Sequence, residues 1–210
     1  MKVLFNQLLA AYGSRHWWPA ESPFEMMVGA ILTQNTSWTN VERAIAALKS
    51  QQWLDAEALI NAPLTLLEQA VRPAGYFRQK SARLQIFSRF FLDQGGVEGM
   101  RQLPLTTMRT RLLAVHGVGP ETADSILLYA LEQPIFIIDT YTKRLMQRLE
   151  MINPPITYHG LQNHFHHALS PNTGLFQEFH ALIIEHGKRH CAAKPKCDGC
   201  PLVLRCPSAD

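Results

Sequence analysis

The spacing of the cysteines is the feature that most constrains this chain. All four cysteines fall within the last twenty residues, in the pattern Cys191-x5-Cys197-x2-Cys200-x5-Cys206. Four thiolates this close together can surround one small metal centre, and a C-x2-C pair suits one turn of chain that faces an ion or cluster. The spacing leaves a [4Fe–4S] cluster and a zinc site open, although the wide outer gaps favour the cluster. Disulfides are the less favoured alternative, because nothing else in the sequence points to secretion.

The composition is that of a globular protein with one or two domains. The chain has 210 residues, of which 47% are hydrophobic, and a net charge of +3. A mildly basic chain permits a polyanionic partner without requiring one. Leu4, Leu8 and Tyr12 have helical spacing, which predicts an amphipathic first helix rather than a signal peptide, and no apolar run is long enough for a membrane span. We therefore expect a cytoplasmic protein with reduced thiols.

Apolar residues recur at three- and four-residue intervals along almost the whole chain. This periodicity predicts helices, separated by breakers such as Pro63, Gly75 and the Gly95-Gly96 pair. The predicted helices cover residues 24–33, 39–51, 54–61, 64–71, 78–93, 106–115, 121–131, 140–151, 159–169 and 174–189. Residues 135–138 are the one strand-like run, and they fit a buried connector. The expected fold class is therefore all-α, with a small metal-bound tail.

The segment around Gly117 and Gly119 has the pattern of a helix, a tight turn and a second helix. The two glycines permit positive φ and close backbone approach, and Val118 between them would pin the turn to the core. Pro120 suits the first position of the second helix. The exposed N–H groups of such a turn form a cradle for a phosphate, and this binding ignores base sequence. The alternative is a plain helical hairpin.

Asp139 precedes a further predicted helix, after an apolar connector. An aspartate in this position is commonly a helix N-cap. It could also be a carboxylate held at the mouth of a cleft, and the two roles are compatible.

The order of these motifs resembles the endonuclease III superfamily, the helix–hairpin–helix DNA glycosylases of base excision repair. The resemblance runs from about residue 17 to residue 206. It implies an all-α fold of two domains with a DNA-binding cleft between them. One domain would be a helical bundle over residues 24–134, with the helix–hairpin–helix at about 107–131, and the other would combine residues 1–23 and 135–210. It also implies that the four cysteines, over 191–206, hold a [4Fe–4S] cluster rather than zinc.

The resemblance assigns the catalytic role to Asp139. A fixed carboxylate stabilises the positive charge that grows on the sugar and can orient an attacking water. Family members that also cut the strand carry a lysine two residues after the second hairpin glycine, and this lysine forms a Schiff base. Glu121 occupies that position here. A glutamate cannot form a Schiff base, so we expect weak or absent lyase activity. Glu121 is then a minor catalytic candidate or an acid favoured by the helix dipole.

The Trp17-Trp18-Pro19 run and the segment 32–38, which ends in Trp38, resemble the 3-methyladenine DNA glycosylase III branch of the superfamily. In that branch the residues matching Trp17, Trp18, Pro19 and Trp38 form an aromatic pocket for the extruded base, and a glutamate occupies the Glu121 position. An N3-alkylated adenine is cationic, and stacking on tryptophan favours a cation by about 1–2 kcal/mol. The resemblance therefore implies an enzyme that flips and excises alkylated purines such as 3-methyladenine. Ordinary core packing is the alternative for the tryptophans.

The remaining site predictions concern DNA contacts. By resemblance Gln34 would fill the gap left by the flipped nucleotide, or it could instead satisfy backbone groups at a helix end. A degenerate second hairpin over residues 73–82 and the loop between the first two cysteines would meet phosphates. The predicted DNA-binding residues are Gln34, Gly117, Val118, Gly119, Thr122, Arg78, Lys80, Lys194 and Lys196.

The expected partner is damaged double-stranded DNA, bound by a monomer that is nucleoid-associated if the source is prokaryotic. Three alternatives stay open. One is a glycosylase for thymine or uracil opposite guanine, and another is an endonuclease III-like glycosylase with lyase activity. The third is a non-catalytic DNA-binding iron–sulfur protein, which substitution of Asp139 would distinguish from an enzyme.

Overall fold

The structure is a computed structural model that describes residues 1–15, 20–153 and 155–209. Throughout this part of the chain the regular elements are helices, which confirms the all-α prediction. None of the described helices is long and apolar enough to cross a membrane. Residues 135–138 form an extended, buried connector without strand pairing.

The helices lie close to the predicted ranges. They are α1 (Lys2–Tyr12), α2 (Pro23–Leu32), α3 (Trp38–Ser50), α4 (Ala56–Asn61), α5 (Leu64–Val71), α6 (Phe77–Asp93), α7 (Gly96–Arg101), α8 (Leu105–Ala114), α9 (Pro120–Ser125), α10 (Thr140–Arg148), α11 (Tyr158–Ala168) and α12 (Thr173–Arg189). The sequence pattern does not predict α7, because Gly95 and Gly96 indicate a break between helices. Gly95 is instead the left-handed residue before this helix, with φ +78°. The predicted helix over 121–131 is α9 followed by a π-helical turn, Ile126–Ala130.

The chain divides into two compact units. The central unit is Trp18–Gln133, and the terminal unit combines Met1–Trp17 with Pro134–Asp210.

Helix α2 forms the core of the central unit. The Ser22 side chain accepts a hydrogen bond from the Glu25 N–H, and Pro23 occupies the first turn, so the start of the helix is well capped. Every residue from Phe24 to Leu32 is buried. A helix that is buried on all sides needs neighbours all round, and α3, α6, α9 and the π-helical turn pack against it.

Four phenylalanines form the core of the terminal unit. Phe136, on the buried connector, stacks on Phe165 with ring centroids 3.9 Å apart. Phe176 and Phe179 meet the Phe136 ring edge-on at 5.4 and 5.7 Å. These contacts anchor the connector three residues before Asp139 and thereby position the start of α10.

Candidate functional site

Asp139 is a buried carboxylate at the N-cap of α10. The residue is 7% exposed, and Oδ1 accepts a hydrogen bond of 2.6 Å from the Thr142 N–H. Burial alone would raise the pKa of Asp139, but His180 and the Thr142 N–H outweigh it and hold the pKa below its usual value. The predicted N-cap role is therefore confirmed, and the group is a carboxylate rather than a carboxylic acid at neutral pH.

His180 is a neighbour of Asp139 that the sequence reasoning missed. It lies on α12, and its Nε2 is 3.5 Å from Asp139 Oδ2. His180 is itself buried. The contact joins residues 41 positions apart, so no local pattern marks it, and it places the imidazole beside the second carboxylate oxygen of Asp139.

The two hairpin glycines have different conformations and different reasons to be glycine. Gly117 has φ +87°, and a Cβ there would lie 2.4–2.7 Å from the side chain of Arg83. Gly119 has φ −93°, so it does not use the positive φ that glycine permits. A Cβ on Gly119 would meet nothing within 4 Å. Gly119 is exposed, so its missing side chain leaves room for an approaching ligand, whereas Gly117 makes room for the protein itself.

The hairpin rests on a buried core and a buried ion pair. Val118 is buried, as predicted from its place between the glycines. Beneath the turn, Arg109 on α8 donates to the fully buried Asp124 on α9, with Nε–Oδ1 2.7 Å and Nη2–Oδ2 3.1 Å. This bidentate pair fixes the two hairpin helices to each other. Glu121 is exposed in the first turn of α9.

Gln34 is bonded to the hairpin. Its Nε2 donates to Gly117 O at 2.9 Å and to Thr122 Oγ1 at 3.0 Å, and its Oε1 accepts from Arg83 Nη1 at 2.6 Å. The alternative prediction, that Gln34 satisfies backbone groups, therefore describes this conformation. The Thr122 side chain is buried and occupied by Gln34, which leaves its backbone N–H rather than its hydroxyl for the predicted phosphate contact.

Arg78 is exposed on the protein surface, whereas Lys80 is buried in the interior. Arg78 is exposed near the start of α6, beside the ring of Phe77. Lys80 is 1% exposed, and its Nζ donates to Leu32 O at 2.9 Å and Ala74 O at 2.7 Å. The predicted contact of Lys80 with phosphate is therefore wrong, because its ammonium group closes the ends of two helical segments inside the unit. Burial, followed by the charge of Arg83, lowers the pKa of Lys80 to about 8.

A cavity of about 200 Å³ opens beside Trp38 in the central unit. Trp38 Nε1 donates to Glu42 Oε1 at 3.0 Å, and the buried Glu25 pairs with Lys49 at 3.0 Å. The cavity is also lined by Ala20, Gly29, Ile45 and Ala46. This volume is several times that needed for one water molecule. The other predicted pocket residues, Trp17, Trp18 and Pro19, lie outside the described residues, immediately before Ala20 in the chain.

The four cysteines Cys191, Cys197, Cys200 and Cys206 are free thiols that line one cavity in the terminal unit. The disulfide alternative is therefore not supported. In the described part of the chain, no three His, Cys, Asp or Glu side chains are arranged to hold a single metal ion.

Backbone and arginine contacts shape the cysteine loop. Arg144 Nε donates to Cys191 O at 2.7 Å. Arg148 donates to Cys191 Sγ at 3.2 Å and to the carbonyls of Ala192 and Ala193 at 2.7 and 3.0 Å. The loop between the first two cysteines leaves Lys194 and Lys196 exposed, as a phosphate contact requires.

Comparisons with known proteins agree with this arrangement. The family model described as HhH-GPD superfamily base excision DNA repair protein matches residues 28–171. A Methanocaldococcus jannaschii protein, named provisionally as a DNA repair glycosylase, is 43% identical over 206 residues, which are 97% of this chain and 94% of the relative.

Two solved structures are similar over most of the chain. An endonuclease III–DNA complex has a TM-score of 0.84 at 22% identity and covers 99% of this chain and 94% of that one, which shows the shared fold. The H. pylori 3-methyladenine DNA glycosylase bound to 1,N6-ethenoadenine has a TM-score of 0.74 at 25% identity, with 89% and 96% covered.

The chain therefore belongs to the HhH-GPD superfamily of base excision DNA repair proteins. The predicted membership of the endonuclease III superfamily is confirmed. The family and its relatives support a base excision repair DNA glycosylase.

Proposed function

We propose that the protein is a monofunctional DNA glycosylase that hydrolyses the N-glycosidic bond of alkylated purines such as 3-methyladenine. The observation that carries the proposal is the ionised, buried carboxylate of Asp139, combined with a glutamate at the position where a lyase needs lysine. A carboxylate combined with a glutamate in place of the lyase lysine suits hydrolysis of the N-glycosidic bond and leaves the abasic strand uncut.

Asp139 supplies negative charge and a proton acceptor. Its Oδ1 is held by the Thr142 N–H and its Oδ2 faces His180, so the charge is fixed before substrate binds. Such a charge stabilises an oxocarbenium-like sugar and can accept a proton from the attacking water. Because the pKa of Asp139 lies below its usual value, it cannot protonate a leaving base at neutral pH. An alkylated purine is already cationic and needs no such protonation, which favours this substrate class.

The cavity beside Trp38 supports the same substrate class. An indole face stabilises a cation, and Glu25 and Glu42 add carboxylates to the lining, against one lysine. A phosphate would be repelled from this lining, whereas a cationic base would not. We propose that Trp38 stacks on the extruded base and that Trp17, Trp18 and Pro19 complete the pocket, as the likeness to the 3-methyladenine enzyme suggests.

We propose that Cys191, Cys197, Cys200 and Cys206 hold a [4Fe–4S] cluster. Their four thiols line one cavity, and all-thiolate ligands suit iron–sulfur chemistry. Bound there, the cluster would cross-link the tail through four Fe–S bonds. The chain's own part is to shape the loop, because Arg144 and Arg148 hold its carbonyls and Lys194 and Lys196 are left facing solvent for DNA phosphates.

The test is a substrate panel assayed with the purified iron-loaded protein. The panel contains methylated duplex DNA, thymine and uracil opposite guanine, and a duplex with an abasic site. We expect release of 3-methyladenine, no strand cleavage, and no covalent adduct on borohydride reduction. The Glu121→Lys variant is the matched control for trapping, because it restores an amine at the lyase position.

Each other outcome selects a different function. Release of thymine or uracil instead of alkylated purines indicates a mismatch glycosylase. Trapping of the wild-type protein on abasic DNA indicates a lyase. DNA binding without release of any base indicates a non-catalytic DNA-binding protein.

A further inference from the structure

Arg83 connects Gln34 to the hairpin. The arginine lies on α6, with its Cγ, Cδ and Nε packed against the Cα of Gly117 so closely that a Cβ there would overlap them. Its Nη1 donates the 2.6 Å hydrogen bond to Gln34 Oε1, while Gln34 Nε2 holds the Gly117 carbonyl. One arginine therefore contacts both the turn that would bind a phosphate and the side chain that would enter the duplex.

The charge of Arg83 has little compensation. Among the described residues Arg83 forms no ion pair, and its Nε is buried without a hydrogen-bond acceptor. The neighbouring turn of α6 adds Lys80, a buried cation whose ammonium group is held by carbonyls rather than by a carboxylate. A guanidinium that is hydrogen-bonded only to a neutral amide would bind an anionic oxygen more strongly, because the bond would then join two opposite charges.

Gln34 cannot keep its present bonds and also fill a gap in a DNA duplex. If Gln34 leaves, Arg83 Nη1 loses its acceptor. A DNA phosphate on the N–H groups of the hairpin would bring oxygen acceptors to the same place. We propose that Arg83 is a positioning residue that exchanges Gln34 Oε1 for a phosphate oxygen, so that docking of DNA on the hairpin releases Gln34 for insertion.

This inference rests on the proposed DNA contacts of the hairpin and Gln34, but not on which base is excised. It predicts two separate effects of removing the guanidinium. Nonspecific binding loses a phosphate contact, and Gln34 loses the bond that keeps it folded against the hairpin. The second effect exists only while residue 34 is glutamine.

The experiment measures equilibrium binding to two duplexes, one undamaged and one with a tetrahydrofuran abasic-site analogue, at several salt concentrations. The proteins are wild type, Arg83→Met, Gln34→Ala, the double variant, and Arg89→Met as a control that removes an exposed charge from the same helix. Neither duplex requires catalysis, so binding is read independently of base release. Thermal melting establishes that each variant is folded, and Arg83→Leu, which also removes the charge, replaces Arg83→Met if the latter does not fold.

For Arg83→Met we expect weaker binding to undamaged DNA, with a salt slope smaller by about one phosphate contact. We also expect a several-fold higher preference for the abasic duplex over the undamaged one, because Gln34 is no longer held. The Gln34→Ala background should abolish that gain in preference, and Arg89→Met should not show it.

An unchanged salt slope, or a change in preference of equal size with and without Gln34, would overturn the exchange and leave Arg83 as packing for the turn. If Arg83→Met shows both effects but wild type releases no alkylated base, the proposed substrate fails and the role of Arg83 stands. If wild type binds neither duplex, the hairpin assignment itself fails.

Discussion

Arg148 Nη1 donates a 3.2 Å hydrogen bond to Cys191 Sγ, at the opposite end of α10 from the capping residue Asp139. One nine-residue helix thus carries the proposed catalytic carboxylate before its first turn and the anchor of the cysteine loop in its last. Helix α10 packs on α12, which brings His180 to the Asp139 end. Changes in the cysteine loop therefore act on the helix that presents Asp139.

We predict that Arg148→Met shortens the lifetime of the proposed cluster. The substitution removes the bond to Cys191 Sγ and the bonds to the Ala192 and Ala193 carbonyls. The measurement is the decay of the cluster's visible absorbance and the release of iron to a chelator in air. Arg205→Met is the control, because Arg205 lies in the same tail and donates to Gln7. Equal rates of iron loss for wild type and Arg148→Met would contradict the prediction.

The two hairpin glycines should respond differently to alanine. Gly117→Ala places a Cβ at a positive φ and against Arg83, so we expect a loss of about 1–3 kcal/mol in the free energy of unfolding. Gly119→Ala meets no protein atom and should leave stability within about 0.5 kcal/mol of wild type. Gly119→Ala should nevertheless weaken binding to duplex DNA, because its methyl group occupies the approach of the phosphate. Wild-type affinity of the Gly119→Ala protein for duplex DNA would contradict a phosphate-binding site at this turn.

Substitution of Arg78 should affect DNA binding, whereas substitution of Lys80 should affect stability. Arg78→Met is expected to reduce the salt slope of DNA binding by about one, since the side chain is exposed at the second hairpin. Lys80→Met should leave the slope unchanged and destabilise the fold by about 1–3 kcal/mol, because the carbonyls of Leu32 and Ala74 lose their donor. Both quantities can be measured on the same preparations, by fluorescence anisotropy and urea unfolding. A smaller salt slope for Lys80→Met would show that its burial is incomplete when DNA is bound.

The carboxylate of Asp139 should make stability depend on pH in the acid range. Its pKa in the folded protein lies below the value of about 3.9 expected for an unfolded chain, so the ionised form stabilises the fold. That contribution is complete above the unfolded pKa and is lost as the pH falls through the folded pKa. The difference in free energy of unfolding between wild type and Asp139→Asn should therefore be constant near neutral pH and shrink below about pH 4. A difference that grew on acidification would mean that the pKa of Asp139 is raised, not lowered.

The sequence was most informative where a local pattern carries the chemistry. Helical periodicity predicted most helices, and Asp139 as an N-cap followed from the residue type at a helix start. It failed where distant elements decide the outcome. Lys80 looked like a surface charge, but α6 turns it toward the ends of two other segments.

Contacts between distant residues left no signal to find. His180 meets Asp139 because α12 packs on α10, and the Arg83 side chain of α6 reaches Gly117, 34 positions along the chain. Gly117 and Gly119 look alike in the sequence, which permits positive φ and close backbone approach at both. Their backbone φ angles differ in sign. The absence of a side chain at Gly119 leaves open space for a ligand, whereas its backbone conformation does not require glycine.

The most direct test of the account is single-turnover release of 3-methyladenine from methylated duplex DNA by wild type and Asp139→Asn. Asparagine caps a helix about as well as aspartate, so the variant should keep α10 and its fold while losing the charge. With circular dichroism and cluster absorbance unchanged, we expect release to fall by about 100-fold or more. Release by Asp139→Asn at a rate close to that of wild type would contradict the assignment of Asp139 as the catalytic carboxylate.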